Sequence, residues 1–433
     1  MALDLRKLFG MAGRSFVVAN DSTIQNVFLA VNGTLTVSRI LLGWELGGGL
    51  GHTARLLSVA RHLQERGHET RFVLKSRATL SLLQAATFDA QNAPQLQTRS
   101  TAHSASPFQA KSYADLLEAH GSDNLQLLST VLSKWDTVLA EYHPDLILCD
   151  HAPFLCLAAF GRIPAVCVGT GFTCPPVSGS TFPSFAANGA LNDNQTRILS
   201  VVRDAQRNRG APLPDRLTQI LGHADQFDTT WPQLDPYFAV RQSEAIGPLD
   251  PVKHTDRHRD FDSRPSFYAY LSADMPGVEL VVIALKRAGF DGRVYFRGAS
   301  YSLIQRLRSE GLNVEMHPPQ LSEALATAAF VLHHGGAGVA TDSLAIGCPQ
   351  LVLPRFVEQQ LTGQCLERFQ LGRSLFGEVR LSAVVAAAHE LMSDDNQRRA
   401  IEIAASLRAE IPMPGIDRVI EACHQRLADI NYR

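Results

Sequence analysis

From Arg39 onward, short apolar runs alternate with polar stretches punctuated by glycine. Ile40-Leu41-Leu42-Gly43-Trp44 is the first such run, and it is too short and continuous for anything but a buried strand. A glycine cluster, Gly47-Gly48-Gly49-Leu50-Gly51, follows and ends in His52. Leu56, Leu57, Val59, Ala60 and Leu63 then recur at helical spacing, and Arg66-Gly67-His68 closes that helix, glycine being favoured just past a helix end. Residues 70–74 form the next strand. Strand, glycine loop, helix and strand together are the building block of a parallel sheet. The same grammar returns at 144–150, a buried-type strand ending in the carboxylate Asp150, and at 164–169.

Residues 175–235 are richer in Pro, Asn and Gln, with a helix expected at 195–207, and so long an excursion from an α/β domain is expected to line a binding cleft. Residues 251–265 carry almost no apolar side chain and read as an interdomain linker. A second α/β series follows, with strand 266–271, helix 276–288, strand 293–297, helix 302–310 and strands at 312–316 and 329–333. The expected architecture is two facing α/β domains, 39–250 and 266–433, with the last helix free to pack back on the first domain. Ligands of parallel sheets sit outside the carboxyl ends of the strands, so both glycine loops should open on one interdomain cleft. Residues 1–38 are an extension of open structure: a flexible arm, or an interfacial helix setting Leu3, Leu5, Leu8 and Phe9 against Arg6, Lys7 and Arg14.

Composition narrows the function. The 433 residues suffice for about two or three domains. Lys and Arg total 40 against 42 Asp and Glu, so no basic field steers the chain to nucleic acid, and only a local site could recognise an anion. The seven cysteines are odd in number and include no C-x-x-C pair, which argues against a zinc site or a disulfide framework and favours a reducing cytoplasm. No run of 18 apolar residues occurs and the start lacks a signal-peptide pattern, so neither a transmembrane helix nor secretion is expected.

The chemistry concentrates after residue 329. A strand delivers His334 and the glycines Gly335, Gly336 and Gly338 to the start of a helix. Glycine lets the backbone approach a ligand closely, and the free N–H groups of a helix start suit a phosphate. Asp342 lies about one helical turn further on, placed to accept hydrogen bonds from sugar hydroxyls. Glu358 and Gln359 offer acceptors and a donor together, which suits the alternating hydroxyls of a hexose.

With Pro319-Gln320 ahead of His334 and Gly347-Cys348-Pro349 behind it, this segment resembles the donor-site signature of the nucleotide-sugar glycosyltransferases of the glycosyltransferase-1 superfamily. The N-terminal GGGLGH and its helix look like the opening of the bacterial macrolide-type members. The resemblance spans roughly 39–425 and implies the GT-B fold, two Rossmann-like domains with the acceptor on the first and the nucleotide sugar on the second. It implies that Gln320 meets the base, Asp342 the ribose, and His334, Gly336 and Gly338 the diphosphate, while Glu358 and Gln359 read the sugar. It places Gly49 and Gly51 beside the donor, His52 as general base and Asp150 as its partner. Four positions depart from the pattern: His317 stands for an aromatic residue, Val339 for a phosphate-contacting Ser, Thr362 for an Asn, and Leu271-Ser272-Ala273-Asp274 for Ser-Leu-Gly-Ser. Val339 therefore leaves the phosphate to its backbone N–H.

The implied activity is inverting, metal-independent transfer of a hexosyl or uronosyl group from a UDP-sugar, or its TDP counterpart, to a small-molecule, lipid or saccharide acceptor. No cofactor beyond the sugar nucleotide is implied, and peripheral membrane contact and the oligomeric state stay open. Two other readings share these residues: a sugar-nucleotide 2-epimerase of similar fold, and a sugar-nucleotide-binding subunit without catalysis. A dinucleotide site fits poorly, because GGGLGH lacks the G-x-G-x-x-G spacing and residues 70–74 end in no carboxylate.

Overall fold

The structure, a computed structural model, describes residues 37–82, 85, 87–95, 110–186, 189–251, 265–410 and 414–431. The extension 1–36 and nearly all of the expected linker, with His254 and His258, lie outside the described residues. Chain order in the first half is β1 (Arg39–Trp44), α1 (Gly51–Glu65), β2 (Glu69–Leu74), α2 (Ala78–Leu82), β3 (Ala90–Asn92), α3 (Tyr113–Ala119), α4 (Leu125–Tyr142), β4 (Leu146–Asp150), α5 (Pro153–Ala159), β5 (Ala165–Gly169), α6 (Gln195–Asn208), α7 (Gln219–Gly222) and β6 (Asp225–Asp228). The second half runs β7 (Ser266–Ser272), α8 (Val278–Arg287), β8 (Asp291–Arg297), α9 (Tyr301–Ser309), β9 (Asn313–Val314), α10 (Leu321–Thr327), β10 (Phe330–His333), α11 (Ala337–Ile346), β11 (Gln350–Val352), α12 (Val357–Arg368), β12 (Gly372–Ser374), α13 (Leu381–Leu391), α14 (Asp394–Glu410) and α15 (Gly415–Asn431).

These strands form two six-stranded parallel sheets, ordered β3-β2-β1-β4-β5-β6 and β12-β11-β10-β7-β8-β9. Both have the same doubly wound topology, in which the order reverses beside the first strand of the half. The crevices at the carboxyl ends of β1 and β4, and of β7 and β10, are therefore where such folds hold ligands. The central strands β1, β4 and β5 read as continuous apolar runs because helices cover both of their faces. Edge strands behaved differently. The polar strand β6 (DQFD) gave no apolar signal, and backbone pairing with β5, Val166 beside Asp225 through Gly169 beside Asp228, defines it. The strand expected at 312–316 shortens to the edge strand β9 for the same lack of a second neighbour.

Two apolar seams are among the contacts that join the halves. After β6, Trp231 and Leu234 pack among Ala340, Leu344 and Val352 of the C-terminal domain, and the Trp231 indole N–H donates to the Thr341 carbonyl at 3.0 Å. The last helix, α15, crosses back and buries Ile416, Val419, Ile420 and Cys423 with Leu56 and Leu57 of α1. Its Arg426 pairs with Asp225 through two hydrogen bonds of 2.7 and 2.6 Å.

Candidate active site

The N-terminal wall is built at the crevice between β1 and β4. Parallel register sets Trp44 beside Asp150 at the ends of these strands, and α1 begins over them at Gly51. His52, in the first turn of α1, stacks on Trp44 with ring centroids 5.1 Å apart, and its Nδ1 lies 2.8 Å from Asp150 Oδ1. Arg55, one turn further along, donates to the other carboxylate oxygen. Asp150 is fully buried, which by itself raises its pKa, yet the charges of Arg55 and His52 outweigh burial and hold the carboxyl at about 2. An ionised Asp150 accepts a hydrogen bond from the His52 Nδ1–H, so Nε2 carries the lone pair of the ring. Gly47 makes room for it: with φ of +80°, a side chain there is strained, and a Cβ would lie 2.7 Å from His52 Nε2. At Gly49 and Gly51, by contrast, a Cβ would meet no atom within 4 Å, so both border open space.

Beside the dyad sits His151, buried, with φ of +49° and neither ring nitrogen hydrogen-bonded. Its ring lies 5.9 Å from those of His52 and Tyr113 and 5.8 Å from that of Phe172. Burial drives its pKa well below the ordinary histidine value, so it is neutral.

The C-terminal wall rises from β10. Gly335 turns the chain with φ of +86°, and a Cβ there would stand 2.7 Å from the Gln359 carbonyl oxygen. Gly336 is the N-cap of α11, which starts at Ala337, earlier than the expected start after Gly338. The first helical bond runs from the Ala340 N–H to the Gly336 carbonyl at 3.0 Å and no side chain caps the helix. The amides of Ala337, Gly338 and Val339 are thus the open N–H groups of a helix start. Gly336 and Gly338 leave the space before them clear.

His334 departs from its expected phosphate contact. Its Nδ1 donates to the Leu353 carbonyl at 2.9 Å and its Nε2 accepts from the Ser272 N–H at 3.0 Å, so no ring N–H remains for a ligand. The ring instead ties the ends of β7, β10 and β11 together around the glycine turn. His333 is a core residue, bonded to Gln350 and pushed down to about 3 mainly by burial.

Gln320 is the exposed N-cap residue of α10 and reaches Ser322 Oγ at 3.3 Å. Asp342 is partly buried, and burial raises its carboxyl to about 6. Glu358 and Gln359, expected to act as a pair, separate. Gln359 Oε1 turns back to accept the Arg355 N–H at 2.8 Å, whereas Glu358 accepts the Thr170 hydroxyl at 3.4 Å and faces the other domain. A narrow pocket lies between Thr170, Phe172 and Thr230 on one side and Ala337 and Glu358 on the other. Glu358 is near enough to the His52, Arg55 and Asp150 cluster to feel its charge, its pKa raised by burial against the pull of His52 and Arg55.

Residues 312–424 match the family of erythromycin biosynthesis protein CIII-like C-terminal domains. L-demethylnoviosyl transferase of Streptomyces niveus is 33% identical over 107 residues, 24% of this chain and 28% of that relative, so the chain aligns with under a third of its length. The calicheamicin glycosyltransferase CalG4 superposes with a TM-score of 0.63 at 17% identity, covering 91% of this chain and 99% of that one. The spinosyn rhamnosyltransferase SpnG complexed with thymidine diphosphate gives 0.63 at 17% identity over 89% and 100%. At these identities the structural likeness is one of fold, and that fold is GT-B. The family match lies within the C-terminal domain and covers about a quarter of the chain.

Within this GT-B fold, Glu358 and the start of α11 line one pocket, His52 and Asp150 pair at the end of β4 where their charge reaches Glu358, and Gln320 lies on the C-terminal domain surface. Residues that sequence reading passed over complete the cluster. Arg55 could have been found from its i+3 spacing to His52, which puts both on one face of α1. Thr170 and His151 carry no local signal of their own, because their roles come from neighbours brought in by the fold.

Proposed function

We propose that the protein is an inverting glycosyltransferase that moves a hexosyl or uronosyl group from a UDP- or TDP-sugar to an acceptor hydroxyl without a metal ion. One observation carries this reading: Asp150 orients the His52 ring at the end of β4, and Glu358, within reach of the charge of that dyad, shares a narrow pocket with Ala337 at the uncapped start of α11. A diphosphate at that helix start would meet the amides of Ala337, Gly338 and Val339 and the positive end of the helix dipole. As the acceptor oxygen attacks the anomeric carbon, its proton passes to His52 Nε2, and Asp150 stabilises the imidazolium. The bond from the anomeric carbon to the diphosphate breaks, and the helix-start amides take up the charge that gathers on the leaving oxygens. Asp342 is suited to a ribose hydroxyl and Glu358 to a sugar hydroxyl. The bound thymidine diphosphate of SpnG supports including TDP-sugars beside UDP-sugars. A reducing cytoplasm suits seven cysteines that are all buried thiols.

The test is a donor screen, UDP-glucose, UDP-glucuronic acid, UDP-N-acetylglucosamine and TDP-glucose against a mixed acceptor library, read by mass spectrometry and by the anomeric configuration of the product. Transfer with inversion that persists in excess chelator is expected. Nucleotide release without acceptor, with deuterium entering at C2, would assign the epimerase reading instead, and turnover lost on chelation and restored by manganese would remove the metal-independent step.

A further inference from the structure

Asp150 is shared. Its Oδ1 holds His52 Nδ1 and its Oδ2 holds Arg55, a pincer formed by two residues on one face of α1. Both partners are largely sheltered, with side-chain exposures of 6% for His52 and 13% for Arg55. A second carboxylate, Glu358, comes from the opposite domain and is held toward this cluster by Thr170. The charged and titratable groups around His52 are then Arg55 on its own helix, Asp150 and His151 at the end of β4, Glu358 on α12, and Lys75 after β2, whose Nζ donates to the Gly47 carbonyl at 2.6 Å.

A histidine facing two carboxylates and no cation gains a proton too readily. Once protonated it has no lone pair for the acceptor, and the base is lost before the reaction starts. We propose that Arg55 is a positioning residue for the base, gripping the second oxygen of Asp150 and supplying the counter-charge that leaves His52 Nε2 free when Glu358 stands beside it. The inference rests on the glycosyltransferase reading only for its consequence in turnover. Before proton transfer the cluster sets the Asp150 carboxylate against the Arg55 guanidinium, with the Glu358 carboxyl, its pKa raised by burial, beside them. When the acceptor O–H proton moves to Nε2, the acceptor oxygen bonds to the anomeric carbon and the electron pair of the broken bond leaves on the diphosphate. Cleft geometry is thereby linked to base strength, because Glu358 arrives from the other domain.

The experiment titrates the histidines of the full chain by NMR, assigning His52 by its loss in His52→Gln. Arg55→Gln keeps a hydrogen-bond donor but removes the charge, and it should raise the His52 pKa by about one unit. Arg55→Lys should leave it within a few tenths of the wild-type value. Glu358→Gln should lower it, which tests the same balance should the Arg55 variants fail to fold. Where a working donor and acceptor are in hand, the acid limb of kcat/KM should move upward by the same amount in Arg55→Gln. A His52 titration unchanged in folded Arg55→Gln, or unchanged in Glu358→Gln, would overturn the proposal and reduce Arg55 to a strut between α1 and β4. UDP and TDP binding, measured by calorimetry on the same samples, reports separately on the C-terminal domain, so a failure of the glycosyltransferase reading is distinguishable from a failure of this one.

Discussion

Asp150→Asn isolates the chemistry of the dyad, because it preserves size and removes one charge. The carboxylate satisfies two donors, His52 Nδ1–H and Arg55, with two oxygens. An amide has a single oxygen. The permanently charged guanidinium holds the stronger claim on it, which turns the Asn NH2 toward His52. Nδ1 must then accept rather than donate, the ring proton moves to Nε2, and the atom that should take the acceptor proton is blocked. The same tautomer error in a hydrolytic triad costs about 10⁴ in turnover, and a loss of about 10³ to 10⁴ is expected here. Stability falls too, since Arg55 keeps its charge in a buried site without a counter-charge, a change that costs about 3 to 5 kcal/mol when a buried pair is broken. The assay is single-turnover transfer with saturating sugar nucleotide, accompanied by ¹⁵N NMR of the imidazole and by UDP or TDP calorimetry. Nucleotide affinity should stay within a few-fold, because the contacts on offer to the diphosphate lie on α11. Turnover above a tenth of wild type, or a His52 ring that keeps its proton on Nδ1, would refute the argument.

Other expectations follow from single groups. Gly335→Ala should destabilise the protein by at least the ~1–2 kcal/mol of a left-handed non-glycine residue, and by more from the close approach to the Gln359 carbonyl, with nucleotide affinity falling as the turn before α11 shifts; chemical denaturation and calorimetry read both, and unchanged values would contradict the geometry. Asp342 has a folded-state pKa of about 6 against an ordinary 3.8, so the stability tied to its neutral form is complete below about pH 4 and lost as pH rises through 6. Asp342→Asn should therefore raise the melting temperature at pH 8 and change it little at pH 4, while weakening UDP binding by about 10- to 100-fold if the carboxylate takes a ribose hydroxyl. Asp150 works in the opposite direction: held at about 2, its contribution is complete above about pH 4 and lost as pH falls through 2, so the acid limb of unfolding should be shallower in Asp150→Asn than in the wild type.

The pattern of apolar runs and glycine breaks was enough to lay out two parallel α/β halves, because buried central strands and helix ends leave local marks. It also picked out His52, at the end of the glycine loop, and Asp150, at the carboxyl end of a strand, one by one. Their contact across 98 positions is a different matter, and it exists because the order of the sheet puts β1 next to β4. The edge strand β6, the grip of Arg55 on Asp150 and the parting of Glu358 from Gln359 are likewise decisions of the tertiary structure. His334 shows the reason most plainly: its motif announces a ligand-facing histidine, yet Ser272 and Leu353, distant in sequence, take both ring nitrogens. Local sequence selects which groups can hydrogen-bond and where the backbone can turn, whereas the partner each group receives depends on the few atoms that folding brings within about 3 Å of it.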